Sequence, residues 1–417
     1  MMFETQFRAG TAELLKAIRR LSQVLQNHEA ESGKRKRARK DTDKAKFETA
    51  VEALACNLIA LAATGPESKL AIPRAHGVMW SGKAAQNRVY GSHFLAVIDL
   101  MSELGLIEED DRGYRVSAMV RMASTIKPTD DLNDFLPISP PDWRSLQQID
   151  DEALVLLKTH KIEGKAKSQT FNENVRTRQL ARELSGINAV LREAEIEIVG
   201  LTDHLILGED GRIVVPFRRS LRRIFNNSNW QHGGRLAGGF WMALPRGERH
   251  RLRINGEEVR EADFRQLHPR LAYARALQPQ PEDDIYDIVG DGTGREGWKR
   301  LFNAMLFSEG PLKNWPEETL KHFPEGMKLR AACDMLRAKH APIAHLFGKQ
   351  LGFTFMKIES DLLIRIMTDL AANGCVCLPL HDAVIVGRSH VEMAARIMRE
   401  TFEAGTGCPF GAIVSVK

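Results

Sequence analysis

Two acidic residues stand where apolar, strand-like segments stop, far apart in the chain. Asp263 follows Val259-Arg260-Glu261-Ala262, and Asp382 sits at the tip of Cys375-Val376-Cys377-Leu378-Pro379-Leu380-His381-Asp382-Ala383-Val384-Ile385-Val386. Asp263 alone has a structural explanation, since an Asp between a strand and a helix is commonly an N-cap. Asp382 is harder to explain that way, because a tight hairpin tip favours Asn-Gly over His-Asp. Carboxylates delivered from two adjacent strand ends suit a pair of divalent cations about 4 Å apart, and such a pair serves phosphoryl transfer. Between the two, Arg295, Lys299, Asn303 and Phe307 recur every four residues. On a helix that spacing drifts only about 40° per step, so two cations, an amide and a ring share a face. Such a stripe suits a triphosphate with a base stacked beside it.

The elements that must position these residues follow from periodicity. Helices are expected over 265–277, 295–308, 356–373 and 390–404, and a hairpin over 375–387 with His381-Asp382 at its tip. Short strand pairs are expected over 204–215, through an Asp-Gly turn, and over 235–256, with turns at Pro245-Arg246-Gly247 and Asn255-Gly256. Residues 170–197 read as one long helix carrying Arg176, Arg178, Arg182 and Arg192. Towards the N-terminus, helices are expected over 9–28 and 46–64 and two more within 83–104, followed by a hairpin over 105–116. That order resembles a winged helix. The run Lys34-Arg35-Lys36-Arg37-Ala38-Arg39-Lys40 reads either as a solvated linker or as a nucleic-acid tether. The proline-rich stretch 125–145 marks a boundary.

The bulk numbers fit this organisation. A chain of 417 residues should hold two or three domains. A net charge of +5 is compatible with a polyanionic partner without requiring one. Five Cys, with no zinc spacing, read as buried reduced thiols. No run approaches the ~18 apolar residues of a membrane span, and the first residues lack the apolar core of a signal peptide. The expected address is the cytoplasm. No Gly-x4-Gly-Lys-Ser/Thr loop is present, which argues against ATP hydrolysis of the P-loop type.

Four short motifs, in order, resemble the polymerase core of family A DNA polymerases and their relatives, the phage-type single-subunit RNA polymerases. Asp263-Phe264-Arg265-Gln266-Leu267-His268-Pro269-Arg270 is similar to that family's first carboxylate motif, Asp-Tyr-Ser-Gln-Ile-Glu-Leu-Arg. Arg295-x3-Lys299-x7-Phe307-Ser308 resembles its Arg-x3-Lys-x7-Tyr-Gly helix, and His381-Asp382-Ala383 its His-Asp-Glu. Gly233-Gly234-Arg235-Leu236-Ala237 resembles its Thr-Gly-Arg-Leu-Ser. The likeness spans roughly residues 170–417 and leaves residues 1–150 unexplained.

The resemblance implies an α+β right-hand core with a small antiparallel palm sheet and helical fingers and thumb. Ahead of it the element order leads one to expect a separate helical N-terminal domain, winged-helix-like, over 1–125 and a linker over 126–169. The resemblance implies a thumb-like helix over 170–203, palm over 204–280 and 351–417, and reduced fingers over 281–350. Asp263 and Asp382, with the Phe264 carbonyl, would hold two Mg²⁺ ions, or Mn²⁺ in their place. Arg295 and Lys299 would grip the triphosphate, and Lys299 would also give a proton to pyrophosphate. Phe307, Asn303 and His268 would meet the incoming nucleotide, and Arg235, His381, Gln266 and Arg270 the primer and template.

The departures are informative. His268 stands where DNA-making members carry a Glu that excludes the ribose 2′-OH. Phe307 replaces a Tyr, and Ala383 removes a third acid that the RNA-making relatives also lack. The short interval from Asp263 to Arg295 implies reduced fingers, and nothing before residue 170 has the pattern of a proofreading exonuclease. The expected function is template-directed DNA synthesis without proofreading. The alternatives are RNA or primer synthesis from NTPs, and a non-catalytic nucleic-acid-binding protein on a degenerate palm.

Overall fold

The computed structural model describes all residues except 66–67, 76–78, 80–88, 112–123, 150–152, 163, 165, 202–204, 207–213 and 410. The chain divides into two compact units, one of residues 1–152, 198–219 and 243–249, the other of residues 153–197, 220–242 and 250–417. Both mix helices with largely antiparallel sheets, the α+β composition the sequence leads one to expect. No described helix is long and apolar enough to cross a membrane.

The first unit holds α1 (Ala12–Glu31), α2 (Asp41–Ala62) and α3 (Ser92–Glu103), with strands β1 (Phe7–Ala9), β2 (Leu70–Ile72), β3 (Ile107–Asp111), β4 (Ser124–Pro128) and β5 (Leu146–Gln148). Helix α2 is apolar on nearly all sides from Phe47 onward, so it forms the centre of this core and the other elements pack around it. Thr11 caps α1 through its side chain. The basic run between α1 and α2 is partly anchored: Arg39 pairs with Glu29 at 2.5 Å and lies 3.8 Å over the Phe47 ring.

One expectation changes here, and others fall outside the described residues. The strand that pairs with β3 is β4, in a three-stranded sheet of order β2-β4-β3. The second strand expected at Tyr114-Arg115-Val116 lies outside the described residues, as does most of the expected 204–215 hairpin. The stretch 126–169 is also not a bare linker, since β5 pairs with β1 and two further strands follow it. These strands are only two to four residues long, so local pattern is weak, while β5 finds its partner β1 about 140 positions away and Val155–Lys158 its partner Arg222–Asn226 68 positions away.

The second unit carries the candidate site. Its strands are β6 (Val155–Lys158), β7 (Ser168–Gln169), β8 (Ile196–Ile198), β9 (Arg222–Asn226), β10 (Asn229–Ala237), β11 (Leu252–Ile254), β12 (Glu257–Arg265), β13 (Cys377–Leu380), β14 (Ala383–Gly387) and β15 (Ile413–Val416). Its helices are α4 (Val175–Glu193), α5 (Leu267–Arg275), α6 (Arg295–Phe307), α7 (Leu329–Lys339), α8 (Leu351–Ala372) and α9 (Val391–Thr406). Helix α4 ends earlier than periodicity implied. Ile196-Glu197-Ile198 alternates buried and exposed as β8, which suits its β-branched ends better than a further helical turn.

Two sheets frame the site. One has the order β10-β9-β6-β7, and the other β13-β14-β12-β11-β8 with β15 also on β12. Helix α8 joins them, packing on β10 and β13 and against α4, α5, α6 and α9. A buried arginine ties β9 and β10 to α8: Arg223 Nε donates to Gly234 O at 3.0 Å and Ser360 Oγ at 2.9 Å, and its Nη2 pairs with Asp361. All five cysteines are free; Cys56, Cys333, Cys375 and Cys377 are buried as expected, but Cys408 is only half-buried.

Candidate active site

The carboxylates are brought together by backbone pairing. β12 and β14 run antiparallel with Asp263 opposite Ala383, and the Phe264 amide donates to the Asp382 carbonyl at 3.2 Å. Along β12, Ala262 and Phe264 are buried, so the two-residue period turns Asp263 to the other face. Asp382 follows His381, which holds a positive φ of 57°. That conformation costs a β-carbon residue about 1 kcal/mol or more, and such strain is often kept where a side chain must be aimed.

Burial, followed by the nearby Asp263 and Glu359 carboxylates, pushes the Asp382 carboxyl up to about 6. Asp263 has a cationic partner: Lys417 Nζ, just after β15, sits 2.5 Å from Asp263 Oδ2 and 3.3 Å from Glu261. That hydrogen bond to Asp263 is the main reason the Lys417 ammonium is held above its usual range.

Helix α6 presents its predicted stripe. Trp298, Leu301, Phe302, Met305 and Leu306 are buried, and Arg295, Lys299, Asn303 and Phe307 line a cleft of about 510 Å³ with Asp263 and Asp382. Arg295 is already engaged, its Nε donating to Asp284 Oδ2 at 2.6 Å and its guanidinium 5.4 Å from the Tyr286 ring. Lys299 is exposed and has no hydrogen-bond or ion-pair partner among the described residues. Burial pushes the Tyr286 hydroxyl up, with the Asp382 charge adding to it.

Arg235 reaches the same cleft from β10. Gly233 and Gly234 take φ of 82° and 77°, and the β10–β9 register shifts there as a bulge. A β-carbon on Gly233 would lie 2.3 Å from Asn226, and one on Gly234 3.0 Å from the Phe225 ring, so the turn in the strand needs both glycines. Arg235 then grips Glu359 of α8 with both Nε (2.9 Å) and Nη2 (3.0 Å). His268, at the start of α5, holds the same carboxylate, Nε2 to Oε2, at 2.8 Å. Burial pushes Glu359 up, but His268 and Arg235 outweigh it and hold the carboxyl below its usual range.

The remaining predicted residues fall as follows. Phe264, Gln266 and His381 line the cleft. Gln266 donates to Asp284 Oδ1 at 2.5 Å, and this Asp284–Arg295–Gln266 cluster fixes the start of α6 against α5. Arg270 differs from expectation: it is 3 % exposed and lies outside the cleft lining, touching Gln266 Oε1 at 3.5 Å and Gly411 O at 3.4 Å. Sequence reasoning missed Glu359, Asp284, Tyr286 and Lys417 as site residues.

Among the described residues no group of three or more His, Cys, Asp or Glu side chains is arranged to hold a metal. The donor set of Asp263, Asp382 and the Phe264 carbonyl still fits Mg²⁺, which commonly takes one or two carboxylates and completes its shell with substrate phosphates and water. The two carboxylates repel, and the Lys417 ammonium already occupies a cation's place on one of them.

No family model and no curated protein matches the chain. Among solved structures it is similar to the POL domain of Pol1 from M. smegmatis in complex with DNA primer-template and dNTP. The identity is 11 % and the TM-score 0.32, over 58 % of this chain and 50 % of that one. This chain thus spans about half the length of that structure, and a likeness at this level carries no functional argument.

Proposed function

We propose that this protein is a template-directed nucleotidyltransferase that joins a primer 3′-OH to a deoxynucleoside triphosphate and releases pyrophosphate. The observation that supports it is convergence. Motif residues separated by more than a hundred positions, from Arg235 to Asp382, line one cleft, with Asp263 on β12 hydrogen-bonded through its neighbour Phe264 to Asp382 at the β13–β14 tip.

In this reading Asp263, Asp382 and the Phe264 carbonyl hold the divalent cations. When bound there, Mg²⁺ or Mn²⁺ would acidify the attacking hydroxyl and neutralise the leaving pyrophosphate. Lys299 and Arg295 bind the triphosphate, with Arg295 handing over its bond to Asp284 as phosphate arrives. Lys299 Nζ gives its proton to the departing pyrophosphate. Phe307 and Asn303 seat the base, and His268 faces the sugar. Arg235 and His381 meet the primer end, and the exposed arginines Arg176, Arg178 and Arg182 of α4 lie along the duplex as a thumb would.

One observation favours a second reading. Lys417 neutralises Asp263 without any added cation, as expected of a nucleic-acid-binding protein that no longer catalyses. Extension of a labelled primer, with dNTP or NTP pools on DNA and RNA templates, tests the first reading. Mg²⁺-dependent extension is expected, and its absence on every template with both pools contradicts it.

A further inference from the structure

A side-chain cluster beside the cleft is centred on Glu359, which Arg235 and His268 both hold. This carboxylate sits in the middle of α8, 2 % exposed, and no motif draws attention to it. An ionised carboxylate only accepts hydrogen bonds, so His268 Nε2 must carry the proton it shares with Glu359 Oε2. The ring is thereby fixed in orientation and in tautomer. Phe307 and Phe355 flank it at 6.1 and 6.3 Å between centroids, and Phe307 is itself braced edge-on by Phe353 at 5.0 Å. Glu359 is fixed in turn by the two-pronged grip of Arg235.

A side chain that excludes one hydroxyl discriminates only if it cannot swing aside. A histidine held by nothing but aromatic neighbours would yield to a 2′-OH by a change of rotamer. Anchored on a buried carboxylate, it does not yield. Resting on the polymerase reading above, we propose that Glu359 is a positioning residue that locks His268 as a rigid barrier to the ribose 2′-OH, and so makes deoxyribonucleotides the substrate class. Phe307 carries no hydroxyl with which to hold the imidazole, so the restraint has to come from α8.

The test is the ratio of kcat/KM for a dNTP to that for the matching NTP, in primer extension by the full chain. Loss of fold or weaker primer binding lowers both values and leaves their ratio unmoved, whereas a loosened barrier lowers the ratio. The wild type should prefer dNTP. Glu359→Gln, which keeps the size and loses the charge, should cut the preference by about tenfold. Glu359→Asp, which draws the carboxylate back by one methylene, should give an intermediate value, and it carries the test if the Gln variant does not fold. His268→Ala should cut the preference further, and adding Glu359→Gln to it should change nothing more.

A ratio that Glu359→Gln and Glu359→Asp leave at the wild-type value overturns the inference. So does an equal drop from Glu359→Gln in the His268→Ala background, or a wild type that prefers NTP. A wild type that extends with neither pool overturns the polymerase reading itself, which is a different failure.

Discussion

Asp263 and Asp382 are neighbours through the backbone before they are neighbours through their side chains: the amide next to one donates to the carbonyl of the other at 3.2 Å. This pairing sets their separation independently of any ligand. It also forces two carboxylates into a half-buried corner where Glu359 adds a third negative charge. The corner is electrostatically incomplete, and its behaviour without metal should show it.

The raised Asp382 carboxyl predicts a pH signature. Between its ordinary 3.8 and about 6, the folded state keeps a proton that the unfolded chain has released. Stability then falls as pH rises through that window, by about 2–3 kcal/mol for a shift of this size. Chemical denaturation of the metal-free protein at pH 4 to 7, taken as the difference between wild type and Asp382→Asn, should show that fall. Mg²⁺ should recover it above pH 6. A difference that is flat across the window contradicts the assignment.

Lys417 competes with any cation for Asp263. Both side chains are partly exposed, so the pair contributes about 0–1 kcal/mol to stability. Lys417→Ala should therefore barely move the melting temperature while tightening Mn²⁺ binding by up to about fivefold, read by titration calorimetry. Mn²⁺ affinity unchanged or weakened would mean that Lys417 does not shield the site.

The bulge in β10 aims Arg235, and Gly234 makes the bulge. Gly234→Ala combines a φ of 77° with a contact to the Phe225 ring, and should cost about 1–3 kcal/mol. Its apparent KM for primer should rise more than that of a variant equally destabilised elsewhere in the sheet. Equal effects from the two would show that the bulge serves the fold alone.

Much of this site was legible because it repeats locally. The four-residue stripe of α6 and the His-Asp tip between β13 and β14 can be read from a dozen consecutive residues each. Glu359 was not legible. It lies among Phe355, Leu362 and Leu363 on a helix that reads as core, and its partners Arg235 and His268 are 124 and 91 positions away. β15 was missed for a related reason, since four residues carry little period of their own and become a strand only by pairing with β12. Arg270 stands apart from the other motif residues: it is buried outside the cleft lining, beside Gln266 and Gly411.

The central claim is that Asp263 and Asp382 act as a pair in phosphoryl transfer. Primer extension under saturating Mg²⁺ by wild type, Asp263→Ala and Asp382→Ala, with folding checked by circular dichroism, tests it most directly. Each substitution should lower the extension rate by about a thousandfold or more. Either variant extending at a rate within about tenfold of wild type would contradict the two-carboxylate account.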